Sequence, residues 1–126
     1  MFEISVEHTF ASGHALRGYK GKCEHVHGHN YKVQVTVAGE NLDSAGLLID
    51  FVVLRSALQA VTEPFDHRML NDLPPFDQLN PSAENMAKYF CEALKAELQG
   101  RGVRVQAFTV WETESSSATY RPAESV

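Results

Sequence analysis

The stretch Tyr31-Lys32-Val33-Gln34-Val35-Thr36-Val37 alternates apolar and polar residues, the period of a strand with one buried and one wet face. Extended back through Asn30 and His29, the same alternation puts His27 and His29 on the face of Tyr31 and Val33. Two residues apart on one face, their imidazoles can pinch a single ion. His25 shares that parity. Four positions along an extended chain nevertheless cover roughly 13 Å, too far for His25 and His29 to share an ion bound about 2 Å from each nitrogen. At most one adjacent pair chelates from this strand. Gly28 leaves the backbone between His27 and His29 open to close approach, which favours that pair. Just ahead, Cys23-Glu24-His25-Val26 sets a thiol beside the clustered imidazoles.

Two nitrogens do not complete a zinc site, so His8, His14 and His67 are candidates for a further ligand. A structural zinc closes four protein ligands, whereas a catalytic zinc keeps three and leaves one position open. The only cysteines are Cys23 and Cys91, far apart in sequence, which argues against a closed, cysteine-rich site. The competing reading, histidines on a solvated hairpin that bind nothing in particular, loses ground because a thiol stands beside them.

Outward from this segment, Phe2, Ile4, Val6, His8 and Phe10 alternate with Glu3, Ser5, Glu7 and Thr9, giving a first strand with one apolar face. A polar loop from Ala11 to Lys22 is expected to join the two strands. After the turn-rich run Gly39 to Gly46, Asp50 is a plausible N-cap for a helix with the stripe Val53, Leu54, Ala57, Leu58 and Val61, ended by Pro64. Met86, Phe90, Leu94 and Leu98 recur every four residues with Ala87 and Cys91 beside them. That second helix starts from Asn80 or Ser82 and stops near Gly100 and Gly102. Val103 to Glu112 reads as a third strand with both faces partly apolar, Ala118-Thr119-Tyr120 as a short fourth, and residues 122–126 as a fraying tail. The order ββααββ predicts an α+β fold, an antiparallel four-stranded sheet with both helices on one face.

Composition bounds the function. With 126 residues, 44% hydrophobic and 21% charged, residues 1–126 read as a single domain around one core. No apolar run approaches the roughly 18 residues of a membrane span, and Met1-Phe2-Glu3-Ile4 lacks a basic-then-apolar signal pattern. The expected location is cytoplasmic, with no membrane partner. A net charge of −5 argues against nucleic-acid binding. Arg17, Lys20 and Lys22 form a local basic patch, read equally well as a solvated loop or an anion site. Cys91 falls in a helical pattern where a small buried hydrophobe is expected, which leaves Cys23 a free thiol.

Five motifs then occur in a known order: His14 in Phe10-Ala11-Ser12-Gly13-His14, Cys23 followed by His27-Gly28-His29, Asp66-His67, Asn80-Pro81-Ser82-Ala83-Glu84-Asn85, and Glu112 in Val110-Trp111-Glu112-Thr113. From Phe2 to about Tyr120 the chain resembles the 6-pyruvoyltetrahydropterin synthase family. The three-residue gap between Cys23 and His27 resembles the bacterial 6-carboxy-5,6,7,8-tetrahydropterin synthases of queuosine (7-deazaguanine) biosynthesis. Ser12-Gly13 departs from the Ala-Ala common before the first histidine, though Gly is still small.

The resemblance implies a tunnelling fold (T-fold). Its subunits join their sheets into a β-barrel, as a homo-oligomer, a hexamer built as a dimer of trimers, with sites at subunit interfaces. It also implies Zn2+ held by His14, His27 and His29. Cys23, Asp66 and His67 become the catalytic proton-transfer set, and Glu112 the substrate-binding carboxylate for the pterin ring. The implied enzyme is a zinc-dependent lyase. It converts 7,8-dihydroneopterin triphosphate to 6-carboxy-5,6,7,8-tetrahydropterin, acetaldehyde and triphosphate. Two alternatives stand beside it: a 6-pyruvoyltetrahydropterin synthase that retains the side chain, and a non-catalytic zinc-binding module. His25 is expected at the periphery, His8 in the core, and Glu84 in the first turn of the second helix.

Overall fold

Two long strands, β1 (Phe2–His14) and β2 (His27–Gly39), pair antiparallel along their full length, from Phe2 opposite Gly39 to His14 opposite His27. This computed structural model describes residues 1–18 and 25–123. Cys23, Lys20 and Lys22 lie outside the described residues. Strand β1 runs four residues further than the alternation of its apolar side chains suggests. Ala11-Ser12-Gly13 carries no large apolar residue, but its backbone pairs with Gly28, His29 and Asn30, so the ladder continues where the sequence pattern stops.

Helix α1 (Phe51–Thr62) is capped as expected: the Asp50 carboxylate accepts from the Val52 amide at 2.8 Å. Pro64 follows in a 3-10 turn, Glu63–Phe65. Then comes β3 (Arg68–Met69), two residues that run parallel to β1 beside Ser12 and Gly13. Helix α2 (Ala83–Glu97) takes Ser82, rather than Asn80, as its cap. Glu84 sits in its first turn, where the helix dipole favours a carboxylate. Strands β4 (Arg104–Thr113) and β5 (Ser116–Tyr120) complete a sheet of order β3-β1-β2-β4-β5. The sheet therefore has five strands instead of the expected four. The extra one is too short for any periodicity to register and lies between 3-10 turns.

Strand β4 seemed apolar on both faces because of a bulge. Thr36 pairs with Ala107 but Val37 pairs with Val105, so Gln106 is skipped and the side-chain alternation shifts by one. Val105, Phe108 and Val110 thereby share the core face with Val33, Val35 and Val37. Both helices pack on that face through Leu54, Leu58, Met86, Phe90 and Leu94. Phe90 is the hub: its ring centroid lies 5.9 Å from Phe10, 5.6 Å from Phe65 and 5.6 Å from Phe108. Truncating such a side chain costs about 3–5 kcal/mol. Cys91 is fully buried beside it, and burial pushes its thiol up to about 11, so it packs as a small hydrophobe and is not a nucleophile.

Candidate metal and active site

The register of β1 on β2 sets the site. His14 lies opposite His27, and Ser12 lies opposite His29. By the alternation of strands these residues share one face with Tyr31. His14, His27 and His29 therefore converge at the end of the core, with ring centroids 4.4 to 5.2 Å apart. The Tyr31 ring packs edge-on against His14 and His29 and stacks on Phe10 below. A second bulge, at Glu112 between Trp111 and Thr113, turns β4 at its end. The Glu112 Oε1 atom lies 3.0 Å from His14 Nε2, 3.0 Å from His29 Nε2 and 3.8 Å from His27 Nε2.

The hydrogen bonds around these rings decide which nitrogen faces inward. His14 Nδ1 donates to the Pro81 carbonyl at 2.8 Å, and His27 Nδ1 donates to the His25 carbonyl at 2.7 Å. A carbonyl only accepts, so each Nδ1 carries its proton, and in the neutral ring Nε2 keeps a lone pair. Yet those two Nε2 atoms lie 2.8 Å apart. Two lone pairs at that distance repel unless a cation lies between them. His29 Nε2 is buried and lacks a well-directed hydrogen bond, despite its closeness to Glu112. Burial holds the His29 ring below the usual imidazole range against the pull of Glu112, which favours its neutral, ligand form. One donor atom from each of His14, His27, His29 and Glu112 falls within 4.8 Å of all the others. Nitrogen donors with a carboxylate suit zinc, and equally copper, iron or nickel.

A further layer holds this arrangement. Asn71 clamps Ala15, accepting from its amide at 2.9 Å and donating to its carbonyl at 2.8 Å. Asn80 clamps Arg17 in the same way, at 2.7 and 2.8 Å. Asn85 donates to the Asn80 carbonyl, and Ser82 caps α2 by accepting from the Asn85 amide. The motif Asn80 to Asn85 thus ties the start of α2 to the chain leaving β1 and aims the Pro81 carbonyl at His14. Sequence reasoning gave the motif the start of the second helix but not its hold on His14, because the partner there is a backbone atom that no side-chain pattern reveals. The Arg17 guanidinium donates to the carbonyls of Leu79, Asn71 and Phe76, so it braces the segment leading into α2.

Asp66 and His67 occupy a different place. Asp66 accepts from the Ala11 amide at 3.0 Å and lies 3.0 Å from His67 Nδ1. The Ala11 hydrogen bond leads the causes that hold this carboxyl below its usual range, and His67 adds to it. His67 takes a left-handed backbone conformation (φ 57°), and its amide donates to the Ala11 carbonyl. Its side chain is 81% exposed. Ser12, Gly13, Gly28, His29, His67 and Met69 line a cleft of about 450 Å³, so His67 borders the same cleft as one histidine of the cluster. Among the described residues the pair is bonded to β1 and makes no bond with the histidine cluster. His25 takes part only through its carbonyl, and His8 is half-buried on β1.

A family model described as 6-pyruvoyl tetrahydropterin synthase matches residues 3–123. The chain is 36% identical to the 6-carboxy-5,6,7,8-tetrahydropterin synthase of Bacillus subtilis strain 168, covering 96% of this chain and 86% of that one. It is 31% identical to the protein of the same name from Haemophilus influenzae, covering 96% and 99%. The structure of Caenorhabditis elegans 6-pyruvoyl tetrahydropterin synthase superposes with a TM-score of 0.87 at 28% identity, covering 97% of this chain and 96% of that one.

Proposed function

The chain belongs to the 6-pyruvoyl tetrahydropterin synthase family, and from that premise we propose that it converts 7,8-dihydroneopterin triphosphate and one water to 6-carboxy-5,6,7,8-tetrahydropterin, releasing acetaldehyde and triphosphate. It is an enzyme of the tetrahydropterin synthase type, a lyase. The observation that carries the reading is the convergence of three imidazole nitrogens and a carboxylate oxygen within 4.8 Å, at residues where the family motifs fall. The three-residue gap from Cys23 to His27 and the names of the bacterial relatives favour the 6-carboxy product. On this reading the step belongs to queuosine biosynthesis in the cytoplasm.

His14, His27 and His29 would hold zinc through Nε2, with the first two rings oriented by the carbonyls of Pro81 and His25. Bound there, zinc supplies Lewis acidity to an oxygen of the substrate side chain, which makes neighbouring carbon-bound protons removable. Cys23, its thiol acidified by a nearby cation, takes such a proton as general base. His67, oriented by Asp66 at 3.0 Å, moves a proton at the opposite side of the substrate. Glu112 accepts from the amino and ring N–H groups of the pterin, a pair of donors that two carboxylate oxygens suit. The exposure of His67, on a pair that is not bonded to the histidines, supports a site completed by a second copy of the chain. A homohexamer with barrel-joined sheets would provide that arrangement. With Arg17 committed to three carbonyls, Lys20 and Lys22 are the cations left from the basic patch to meet the triphosphate.

The test is product analysis. Zinc-replete protein incubated with 7,8-dihydroneopterin triphosphate should yield acetaldehyde and 6-carboxytetrahydropterin in equal amounts. A 6-pyruvoyl product without acetaldehyde supports the second reading, which the likeness to the Caenorhabditis elegans synthase structure favours. No conversion at all contradicts both and leaves a zinc-binding module.

A further inference from the structure

Glu112 stands where two tasks compete for it. On one side its Oε1 lies 3.0 Å from His14 Nε2 and 3.0 Å from His29 Nε2. A carboxylate only accepts hydrogen bonds, and the Nδ1 protons of His14 and His27 are spent on carbonyls. With both of those rings neutral, three electron-pair donors, His14 Nε2, His27 Nε2 and Glu112 Oε1, therefore face one another, and His29 Nε2 lies with them within 4.8 Å. A bound cation removes that repulsion, and Glu112 then belongs to the donor set as fully as the histidines do. Four protein donors close a zinc site, whereas catalysis on a substrate oxygen needs an open position. On the other side, Glu112 lines a cavity of about 310 Å³ with Glu84, Ser116, Ser117 and Ala118. Its side chain is 26% exposed and sits on a bulge between the paired residues Trp111 and Thr113, so the carboxylate has somewhere to turn.

We propose that Glu112 is a displaceable fourth metal ligand: it closes the metal site while substrate is absent, and the pterin edge draws it away, opening the position that the substrate oxygen takes. This rests on the pterin role given to Glu112 above. The device keeps solvent from the reactive position until substrate is seated. It also couples the two ligands. Metal and the pterin ring draw on the same carboxylate, so each lowers the affinity for the other by the same factor.

The experiment uses the full oligomeric protein and two measurements. Chelator competition gives zinc affinity for the wild type and for Glu112→Ala, with Glu112→Gln as a second variant that keeps the shape of the side chain. A loss of about 10-fold to 100-fold in the Ala variant is expected, the scale seen when groups supporting a metal are removed. Titration with unsubstituted pterin, which has the ring edge but no side-chain oxygen, should show weaker binding to zinc-loaded than to zinc-free wild type. Zinc affinity unchanged in both variants overturns the ligand role. Pterin affinity equal in the two metal states, or absent from both, overturns the gate. Failure of substrate conversion while zinc affinity falls in Glu112→Ala would contradict the enzymatic reading and leave the ligand role standing.

Discussion

The ends of β1 and β2 carry two sets of functional side chains, and the two are built in opposite ways. On the core face, His14 is 1% exposed and its ring is oriented by the Pro81 carbonyl, with the His27 ring and the Glu112 carboxylate close against it. At the sheet edge, His67 is 81% exposed and has one side-chain partner, Asp66. A metal must be met by several donors at once, and a group that could meet one is assembled here within a single chain. A proton-transfer group needs only one orienting partner, and it can wait at the surface for the rest of its site. The contrast teaches that one polypeptide holds a closed histidine and carboxylate cluster that could take a metal ion and an exposed Asp66/His67 pair at the sheet edge.

Four results would sharpen or break that contrast, the largest first. Cys23→Ala should lower turnover by about 10²-fold to 10⁴-fold, the worth of a positioned general base, while zinc measured by atomic absorption stays at the wild-type level. Co-expression of His14→Ala with His67→Ala comes next. Each variant alone should be inactive, and mixed oligomers should recover part of the activity if the exposed pair serves a neighbouring chain. Persistent inactivity would mean that both groups act within one chain. A smaller effect is expected for Asn80→Ala, which frees the Arg17 backbone and loosens the segment aiming Pro81 at His14. Zinc affinity should fall about tenfold, with the helical circular dichroism unchanged. Asn71→Ala, whose clamp ends on Ala15 without touching the Pro81 segment, should change it less.

The smallest effect concerns pH. The Asp66 carboxyl is held below its ordinary value, so its charged form is the stabilised one in the folded chain. Its contribution is present above the unfolded value and fades as pH falls through the folded one. Asp66→Asn should therefore melt slightly below the wild type near neutral pH. The two melting curves should converge once the solution is more acidic than the folded value. A gap that widens toward acid would contradict this account.

The convergence of the histidines was legible in the sequence for a physical reason. His27 and His29 lie on a strand whose alternation is unambiguous, so their shared face follows from parity alone. His14 was one of three candidates until the family resemblance selected it, because the alternation of β1 gives no warning that the strand runs on past Phe10. The sheet's fifth strand and the bulge at Gln106 were not legible, since two residues carry no period and a skipped residue looks like an ordinary amphipathic mixture. The Pro81 and His25 carbonyls were invisible for a different reason: a backbone acceptor is the same in every residue. Glu112 was assigned to the pterin, and its approach to the histidines follows from a bulge that only the folded chain displays.

Metal content per chain tests the central claim most directly, that the histidines of the core face, with Glu112 beside them, build the metal site. Purified wild type, His25→Ala and His67→Ala should each hold one zinc per chain, whereas His14→Ala, His27→Ala and His29→Ala should each lose most of it. Zinc retained by His14→Ala, or lost from His67→Ala, would contradict the account.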